Sequence, residues 1–530
     1  MFLHERFWET AQQLPEAEAF SFGAVSWTYG ASAARVERLA AGLAARLPRG
    51  ARVALNLYKS IDAIVLMLAC LRAGLTYVPI DPTSPLARRR FIVRDSTARV
   101  LVLDQRTLLD WAHETDLLET LDLIVAPAEL RPAAGSDRLL SVDLLAEAAP
   151  AALDARAAAQ ADDLAAILYT SGSTGEPKGV MITQRNAAAF VDWGSAYFDL
   201  HPGDRVAVHA PLHFDLPVLD IYVSLACGAT VCPIDEKTVL FPEALLRFLR
   251  TQRITVLYAV PSALTALINR SSIAKAGLPD LRLLLYAGEE FHPAPLARLM
   301  RLLPRTRVFN LYGPIETNVV TACAVGLEHL QQQHIPIGQP IANTRLFLAN
   351  ANGELVEAPG EEGEIVISGP SVSPGYLNQP DLTASARLWL VADGRRWECY
   401  RTGDFAHWDA QGTLHFLGRR DALIKTRGFR VDLGDVESTL MMHPAIAEVG
   451  VIAAPHAEYT NLLYACVVPK PGSVIETAAL FAWCREQLPA YMVPSEIQIR
   501  EQLPKTSTGK IARRELATQF RTPMPFEKPG

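Results

Sequence analysis

The chain has 530 residues, half of them apolar, which is too long for one hydrophobic core and predicts two or more domains. Its formal net charge of -7 disfavours nucleic-acid binding, which needs a basic face, and the absence of a dense Lys/Arg run disfavours attachment to anionic membranes. The seven cysteines form no CxxC pair and the N-terminus has no signal-peptide pattern, so we expect a cytoplasmic protein without disulfides or structural zinc.

In the N-terminal part of the chain, segment 61–80 is the most membrane-like, but Asp62 and Arg72 favour a buried helix and strand over a membrane span. Short apolar runs that end in turns then alternate with helical stretches. These runs are 163–170, 205–211, 254–261, 281–288 and 307–314. Such alternation predicts an α/β fold with a parallel sheet, whose ligands bind where the strands end.

The pattern changes after about residue 340. Segments 363–369 and 411–418 alternate in the manner of strands and predict a β-rich subdomain. Residues 421–530 contain their own strand and helix patterns, for example at 447–455 and 478–488, and predict a final α+β unit.

The segment 168-LYTSGSTGEPKGVM-181 places hydroxyl groups and glycines directly after an apolar run. A loop of this composition offers backbone N–H groups and hydroxyls to an anion, and glycine permits close approach. The loop is therefore interpreted as a phosphate cradle. It lacks the G-x-x-x-x-G-K-[ST] spacing of a Walker A loop, which disfavours a P-loop NTPase. From composition alone, a solvated linker stays open as the alternative.

Further motifs follow in a fixed order, and together with the hydroxyl-rich loop they resemble those of the adenylate-forming superfamily. This superfamily comprises acyl-CoA synthetases, luciferases and the adenylation domains of nonribosomal peptide synthetases. The motifs are 75-LTYVPIDP-82, 212-LHFDLPVLDIY-222, 309-FNLYGPIETN-318, 363-GEIVISGPSVSPGYLN-378, 400-YRTGD-404, 418-GRRDALIKTRGFRVDLGDVE-437 and 503-LPKTSTGKI-511. The resemblance spans nearly the whole chain. It implies an N-terminal adenylation core, residues 1–420, with parallel α/β subdomains and a β-rich subdomain, and a small mobile α+β C-terminal domain, residues 421–530.

The resemblance implies an AMP-forming ligase. A carboxylate attacks the α-phosphorus of ATP and releases pyrophosphate, and a thiol then attacks the acyl-adenylate. The first step brings two anions together, so catalysis must depend on charge neutralisation and positioning. By resemblance, Lys510 bridges the substrate carboxylate and the α-phosphate, Thr317 contacts the α-phosphate, and Thr170 and Glu316 hold Mg²⁺.

The resemblance also implies how ATP is bound. Residues 170–175 would cradle the phosphates, Tyr312 would stack on adenine, and Asp404 would accept both ribose hydroxyls with help from Arg419. The implied ATP-binding residues are Thr170, Ser171, Gly172, Ser173, Thr174, Gly175, Gly288, Glu289, Asn310, Tyr312, Asp404 and Arg419. For Lys178, a phosphate contact and a solvent-facing lysine are both left open.

Asp421 matches the family's hinge, about which the last domain rotates between an adenylating and a thioester-forming pose. Lys425 and Gly428 would face the site in the second pose.

Asp215 indicates the class of acid. Members that activate amino acids carry an aspartate at this position, where it pairs with the α-ammonium group, because a buried carboxylate needs a cationic partner. The alternative is a helix N-cap, and both roles are compatible.

The remaining pocket positions are almost all apolar. By resemblance the pocket consists of Asp215, Leu216, Leu219, Tyr258, Leu285, Ala287, Leu311, Val319 and Val320. Bulky leucines at 216 and 311 predict a short pocket for a small, compact amino acid. The set resembles that of stand-alone L-prolyl-AMP ligases, although Val320 stands where we expect Cys.

This resemblance implies activation of L-proline and its transfer to the phosphopantetheine thiol of a separate peptidyl carrier protein, for pyrrole or related secondary-metabolite biosynthesis. The alternatives are a ligase for another small amino acid such as D-alanine, an acyl- or aryl-CoA ligase, and a non-catalytic nucleotide-binding homologue. Asp215 argues against the CoA ligase, because its charge would repel an acid that lacks an ammonium group.

Overall fold

The structure is a computed structural model that describes residues 2–126, 139–147, 153, 160–170, 176–419, 423–456, 459–473, 475–505, 511 and 513–519. The chain divides into two compact units, one formed by most of residues 1–420 and the other containing residues 421–530. Within the described ranges, no helix is both long and apolar enough to cross a membrane.

Two large sheets form the centre of the larger unit. The first sheet has nine strands. In spatial order they are β16 (Gln339–Pro340), β15 (Thr321–Ala324), β14 (Arg307–Tyr312), β13 (Leu283–Tyr286), β12 (Val256–Ala259), β10 (Arg205–Val208), β11 (Thr230–Pro233), β1 (Glu18–Phe22) and β2 (Val25–Thr28). Its centre is parallel, from β14 through β12, β10 and β11 to β1, and its edges are antiparallel.

The second sheet has eight strands. In spatial order they are β20 (Gly375–Tyr376), β9 (Lys178–Thr183), β8 (Leu164–Thr170), β4 (Thr76–Pro79), β3 (Arg52–Asn56), β5 (Val100–Leu103), β6 (Leu123–Val125) and β7 (Leu139–Leu140). Strands β8, β9 and β20 pair antiparallel, and the other neighbours are parallel. The α/β class predicted from the sequence is confirmed, with antiparallel edges added to the predicted parallel sheets.

Helices connect and cover these strands. In residues 1–420 they are α1 (Leu3–Gln13), α2 (Tyr29–Ala44), α3 (Ile61–Arg72), α4 (Leu86–Asp95), α5 (Gln105–Trp111), α6 (Thr115–Leu118), α7 (Val142–Ala146), α8 (Gln184–Tyr197), α9 (Ser224–Ala226), α10 (Glu236–Leu240), α11 (Pro242–Thr251), α12 (Pro261–Arg270), α13 (Ile273–Ala276), α14 (Pro293–Leu302) and α15 (Pro380–Ser385). A π-helix spans Val218–Val223. The apolar segment 61–80 folds as predicted, with Ser60 capping α3 before β4 follows.

The predicted β-rich subdomain is a third, antiparallel sheet. Its strands are β18 (Leu355–Val356), β17 (Arg345–Ala349), β19 (Glu362–Ser368), β22 (Arg395–Trp408) and β21 (Arg387–Ala392), and β23 (Leu414–Arg419) also pairs with β22.

The smaller unit is α+β. Its elements are β24 (Leu423–Thr426), β25 (Phe429–Asp432), α16 (Leu433–Met441), β26 (Ile446–His456), β27 (Thr460–Pro469), α17 (Thr477–Gln487), β28 (Glu496–Ile499) and α18 (Arg513–Gln519). Strands β26, β27 and β28 form one sheet and β24 and β25 form a hairpin. Arg427 and Gly428 both have positive φ, 51° and 82°, and form the two-residue turn of this hairpin.

Candidate active site

The predicted site residues of the larger unit follow the carboxyl ends of parallel strands in the first sheet. Asp215 follows β10, Glu289 follows β13, and Glu316 follows β14. Strands β10, β12, β13 and β14 are neighbours and run in the same direction, so the segments that follow them all begin at the carboxyl ends of the strands. In α/β folds, ligands bind at these carboxyl ends.

A tight turn after β14 presents Glu316. The N–H of Val320 donates to the carbonyl of Tyr312 at 2.7 Å and closes the turn. A Cβ atom at Gly313 would lie only 1.8 Å from the carbonyl oxygen of Asn318, so this approach requires glycine. Asn318 itself has a φ of 55°, a left-handed conformation that asparagine tolerates. The turn is therefore determined by the GPIETN sequence itself.

Glu316 is buried and lies among polar groups from other elements. The Tyr376 hydroxyl donates to Glu316 Oε1 at 2.8 Å, and the Lys178 ammonium lies 3.9 Å from the same oxygen. Lys178 also lies 4.6 Å from the centre of the Tyr376 ring, and the Tyr400 hydroxyl is 3.3 Å from that of Tyr376. Lys178 is thus a buried partner of Glu316, and the solvent-facing alternative is wrong. Sequence reasoning missed Tyr376, although it lies in a quoted motif.

The residues predicted to hold Mg²⁺ have suitable chemistry. Thr170 ends β8 and is the cross-strand partner of Lys178 on β9, so both side chains project from the same face. The Thr170 hydroxyl is buried and has no hydrogen-bond partner among the described residues. A buried, unsatisfied hydroxyl is costly, and an ion or ligand would satisfy it. A hydroxyl with the Glu316 carboxylate provides the oxygen ligands that Mg²⁺ prefers.

Asp404 lies on β22, buried between two donors. The Tyr312 hydroxyl donates to one carboxylate oxygen at 2.6 Å, and Arg419 donates to the other at 2.9 Å. Arg419 also donates to the carbonyl of Thr402, which fixes its guanidinium. Burial, followed by the neighbouring Asp404 carboxylate, raises the pKa of Tyr312 well above its usual value, so its hydroxyl stays a donor. Each carboxylate oxygen keeps a further lone pair, which a diol can use.

The residues predicted to meet the adenine edge lie on β14 and after β13. Asn310 donates from its amide to the carbonyl of Pro336 at 2.9 Å. Gly288 has a φ of 88° and turns the chain after β13. The Glu289 carboxylate accepts a hydrogen bond from the N–H of Ser262 at 2.9 Å, at the start of α12. The Glu289 side chain therefore caps a neighbouring helix, a role not predicted from the sequence.

Asp215 is half-buried in the segment between β10 and the π-helix. The π-helix begins at Val218, and the N–H of Val218 donates to the backbone carbonyl of Asp215 at 3.0 Å. A capping role of the Asp215 side chain stays a prediction. Burial, with the Asp215 and Asp220 carboxylates, raises the pKa of Tyr258 well above its usual value. Asp215 therefore lies near the phenol of a predicted pocket residue.

The other predicted pocket residues are buried, and most of them belong to the main hydrophobic core of the larger unit. Seven belong to one core cluster: Leu216, Leu219, Tyr258, Leu285, Ala287, Leu311 and Val319. Tyr258 on β12 is the register partner of Leu285 on β13, and Leu219 lies on the π-helix. Val320 instead packs with Tyr312 and Ile337 in a different cluster. All eight of these positions are buried, and their assembly into one substrate pocket stays a prediction.

Some predicted residues lie outside the described ranges. They are Ser171, Gly172, Ser173, Thr174, Gly175, Asp421 and Lys510. In the smaller unit, Lys425 lies on β24, where its carbonyl accepts a hydrogen bond from Asn461 at 2.8 Å.

Comparison with known proteins identifies the family to which the chain belongs. Residues 7–377 match the family model of AMP-binding enzymes, and residues 435–510 match that of the AMP-binding enzyme C-terminal domain. An L-proline--[L-prolyl-carrier protein] ligase of Pseudomonas fluorescens is 36% identical over 98% of this chain and 99% of its own length. A ligase of the same name from Streptomyces coelicolor is 34% identical over 96% and 94%.

Among solved structures, an NRPS protein containing adenylation and PCP domains, bound to a vinylsulfonamide inhibitor, is 27% identical with a TM-score of 0.82. The match covers 98% of this chain and 84% of that one. The chain therefore belongs to the AMP-binding enzyme family of the adenylate-forming superfamily and is an AMP-forming ligase, as its ordered motifs predicted.

Proposed function

We propose that this protein activates L-proline as prolyl-AMP and transfers the prolyl group to the phosphopantetheine thiol of a separate peptidyl carrier protein. The observation that carries the proposal is a half-buried carboxylate, Asp215, near the phenol of Tyr258, in a segment that follows a strand at the same end of the sheet as Glu316. The names of the two full-length relatives support proline as the amino acid and a carrier protein as the acceptor.

In the first step, a carboxylate oxygen of proline attacks the α-phosphorus of ATP, and the bond to pyrophosphate breaks. Asp215 pairs with the ring ammonium and orients the amino acid. Mg²⁺, when bound by Thr170 and Glu316, supplies positive charge to the phosphates. Lys178, beside Glu316, adds a buried cation at the same place. Asp404 and Arg419 hold the ribose, and Tyr312 fixes the Asp404 carboxylate.

In the second step, the thiolate of the carrier attacks the acyl carbonyl, a thioester forms, and AMP leaves. We propose that Lys510 stabilises the charge of the first step, that residues 171–175 cradle the phosphates, and that residues 421–530 rotate about Asp421 between the steps. These assignments stay predictions from the resemblance. Biosynthesis of a pyrrole or a related secondary metabolite is likewise our proposal for the pathway.

Seven buried apolar or phenolic side chains favour a compact ring over a polar or extended side chain. A pocket of this kind distinguishes one methylene by only about 1–3 kcal/mol, so we expect slow activation of four- and six-membered ring analogues of proline.

The identity of the thiol tests the transfer step. With ATP and radiolabelled L-proline, we expect label on a holo carrier protein that bears phosphopantetheine, and none on the apo carrier. Free coenzyme A is expected to give no prolyl thioester, since we assign the acceptor thiol to a carrier protein. Efficient formation of prolyl-CoA, with the holo carrier unlabelled, would contradict the proposal and favour a CoA ligase.

A further inference from the structure

Lys59 is a buried lysine that has no part in the site described above. It lies between β3 and α3, in the connection that leaves the second sheet. Its ammonium donates to three backbone carbonyls at the end of β10 in the first sheet: Val208 at 2.8 Å, His209 at 2.8 Å and Ala210 at 3.1 Å. An ammonium has three N–H donors, so these bonds satisfy it completely.

The three carbonyls immediately precede the segment 211–217, which carries Asp215. Asp220 lies just beyond this segment, on the π-helix next to Leu219 of the predicted pocket. Asp220 is fully buried, and neither carboxyl oxygen has a hydrogen-bond partner among the described residues. Burial raises its pKa well above the usual value, and the Lys59 charge opposes this shift. The Lys59 ammonium therefore binds the backbone directly before the segment that presents Asp215, and its charge acts on Asp220 just beyond that segment.

The surroundings of Lys59 retain its charge in spite of burial. Burial lowers its pKa to about 8, and the neighbouring acidic groups Glu236, Asp220 and Asp235 oppose the decrease. The backbone N–H of Lys59 also donates to Glu236 Oε1 at 3.0 Å. Burying a charge is costly, and a packed apolar side chain of similar volume would avoid that cost. A lysine at this position is thus poorly explained by packing alone.

We propose that Lys59 is a positioning residue for amino-acid recognition, which holds the segment 211–217 so that the Asp215 carboxylate meets the substrate ammonium. This inference rests on the proposed function, because it concerns the pocket assigned there. A displacement of Asp215 by about 1 Å would weaken the ion pair strongly and leave apolar contacts nearly unchanged. Replacement of Lys59 is therefore expected to weaken the binding of ligands that carry an amine more than the binding of ligands that lack one.

The test compares two probes that differ only in this group: the sulfamoyl-adenosine analogue of L-proline, and its counterpart in which carbon replaces the ring nitrogen. Their dissociation constants are measured by calorimetry on the full chain. We expect Lys59→Met to reduce the preference for the amine probe about tenfold or more and to leave the affinity for the carbocyclic probe unchanged. The control is Lys237→Met, which removes an exposed lysine on α10 and is expected to change neither constant.

Lys59→Gln keeps two N–H donors and is expected to reduce the same preference to a smaller extent, so it carries the test if Lys59→Met fails to fold. Equal weakening of both probes, or an unchanged preference in a folded variant, would overturn the positioning role and leave the proposed function intact. If the unaltered protein shows no preference for the amine probe, the proposed function fails, and this inference fails with it.

Discussion

Replacing Asp215 by asparagine is expected to lower kcat/KM for L-proline in ATP–pyrophosphate exchange by about 10²- to 10³-fold. Asparagine keeps the shape of the side chain but loses its charge, so the ring ammonium enters a largely apolar cluster without its counterion. The KM for ATP is expected to change little, because ATP contacts are assigned to Glu316, Asp404 and Arg419. Steady-state exchange measured at varied proline and at varied ATP concentrations separates the effect on proline from the effect on ATP.

A matched control for this variant is Asp381→Asn, which neutralises an exposed carboxylate on α15 and is expected to leave exchange unchanged. If Asp215→Asn retained the kcat/KM of the unaltered protein for proline, the ammonium would have to be recognised elsewhere. Equal increases in both KM values would instead indicate general damage to the fold.

Replacing Glu316 by glutamine is expected to lower kcat/KM by about 10²- to 10³-fold and to raise the Mg²⁺ concentration needed for half-maximal exchange. The amide still accepts the hydrogen bond from Tyr376, but it is a weaker metal ligand and does not balance the charge of Lys178.

Tyr376→Phe removes only the hydroxyl that orients Glu316. A hydrogen bond to a charged group contributes about 1.5–3 kcal/mol, so we expect kcat/KM of the Tyr376→Phe variant to decrease by about 10- to 100-fold.

Exchange activity measured at varied Mg²⁺ concentrations gives both kcat/KM and the Mg²⁺ requirement of each variant. The control is Glu361→Gln, which changes an exposed residue. An unchanged Mg²⁺ requirement in Glu316→Gln, at any level of activity, would argue against Glu316 as a metal ligand. A Tyr376→Phe variant more impaired than Glu316→Gln would show that the hydroxyl acts on something other than this carboxylate.

Much of this fold was predictable from local patterns. The apolar runs at 205–211, 254–261 and 281–288 contain β10, β12 and β13, because a buried parallel strand requires a short continuous apolar stretch. The turn residues around Glu316 were predictable as a site from their motif, and the close approach at Gly313 explains why the turn needs glycine.

Other features depend on tertiary contacts and could not be predicted. The helix after Asp215 is a π-helix, and a short apolar run does not distinguish i→i+4 from i→i+5 hydrogen bonding. Val320 follows Val319 in sequence but packs into another cluster, since neighbouring residues face different sides. Lys59 was overlooked because a single lysine before an apolar helix usually faces solvent, and its three carbonyl partners are about 150 residues away.

The most direct measurement is amino-acid-dependent ATP–pyrophosphate exchange across all proteinogenic amino acids, D-alanine and salicylate. We expect L-proline to give the strongest exchange and D-alanine and salicylate to give little, because D-alanine lacks the ring and salicylate lacks the ammonium group. Exchange that is strongest with another acid, while proline gives none, would contradict the assignment of proline. Absence of exchange with every acid by a protein that still binds ATP would contradict catalysis itself.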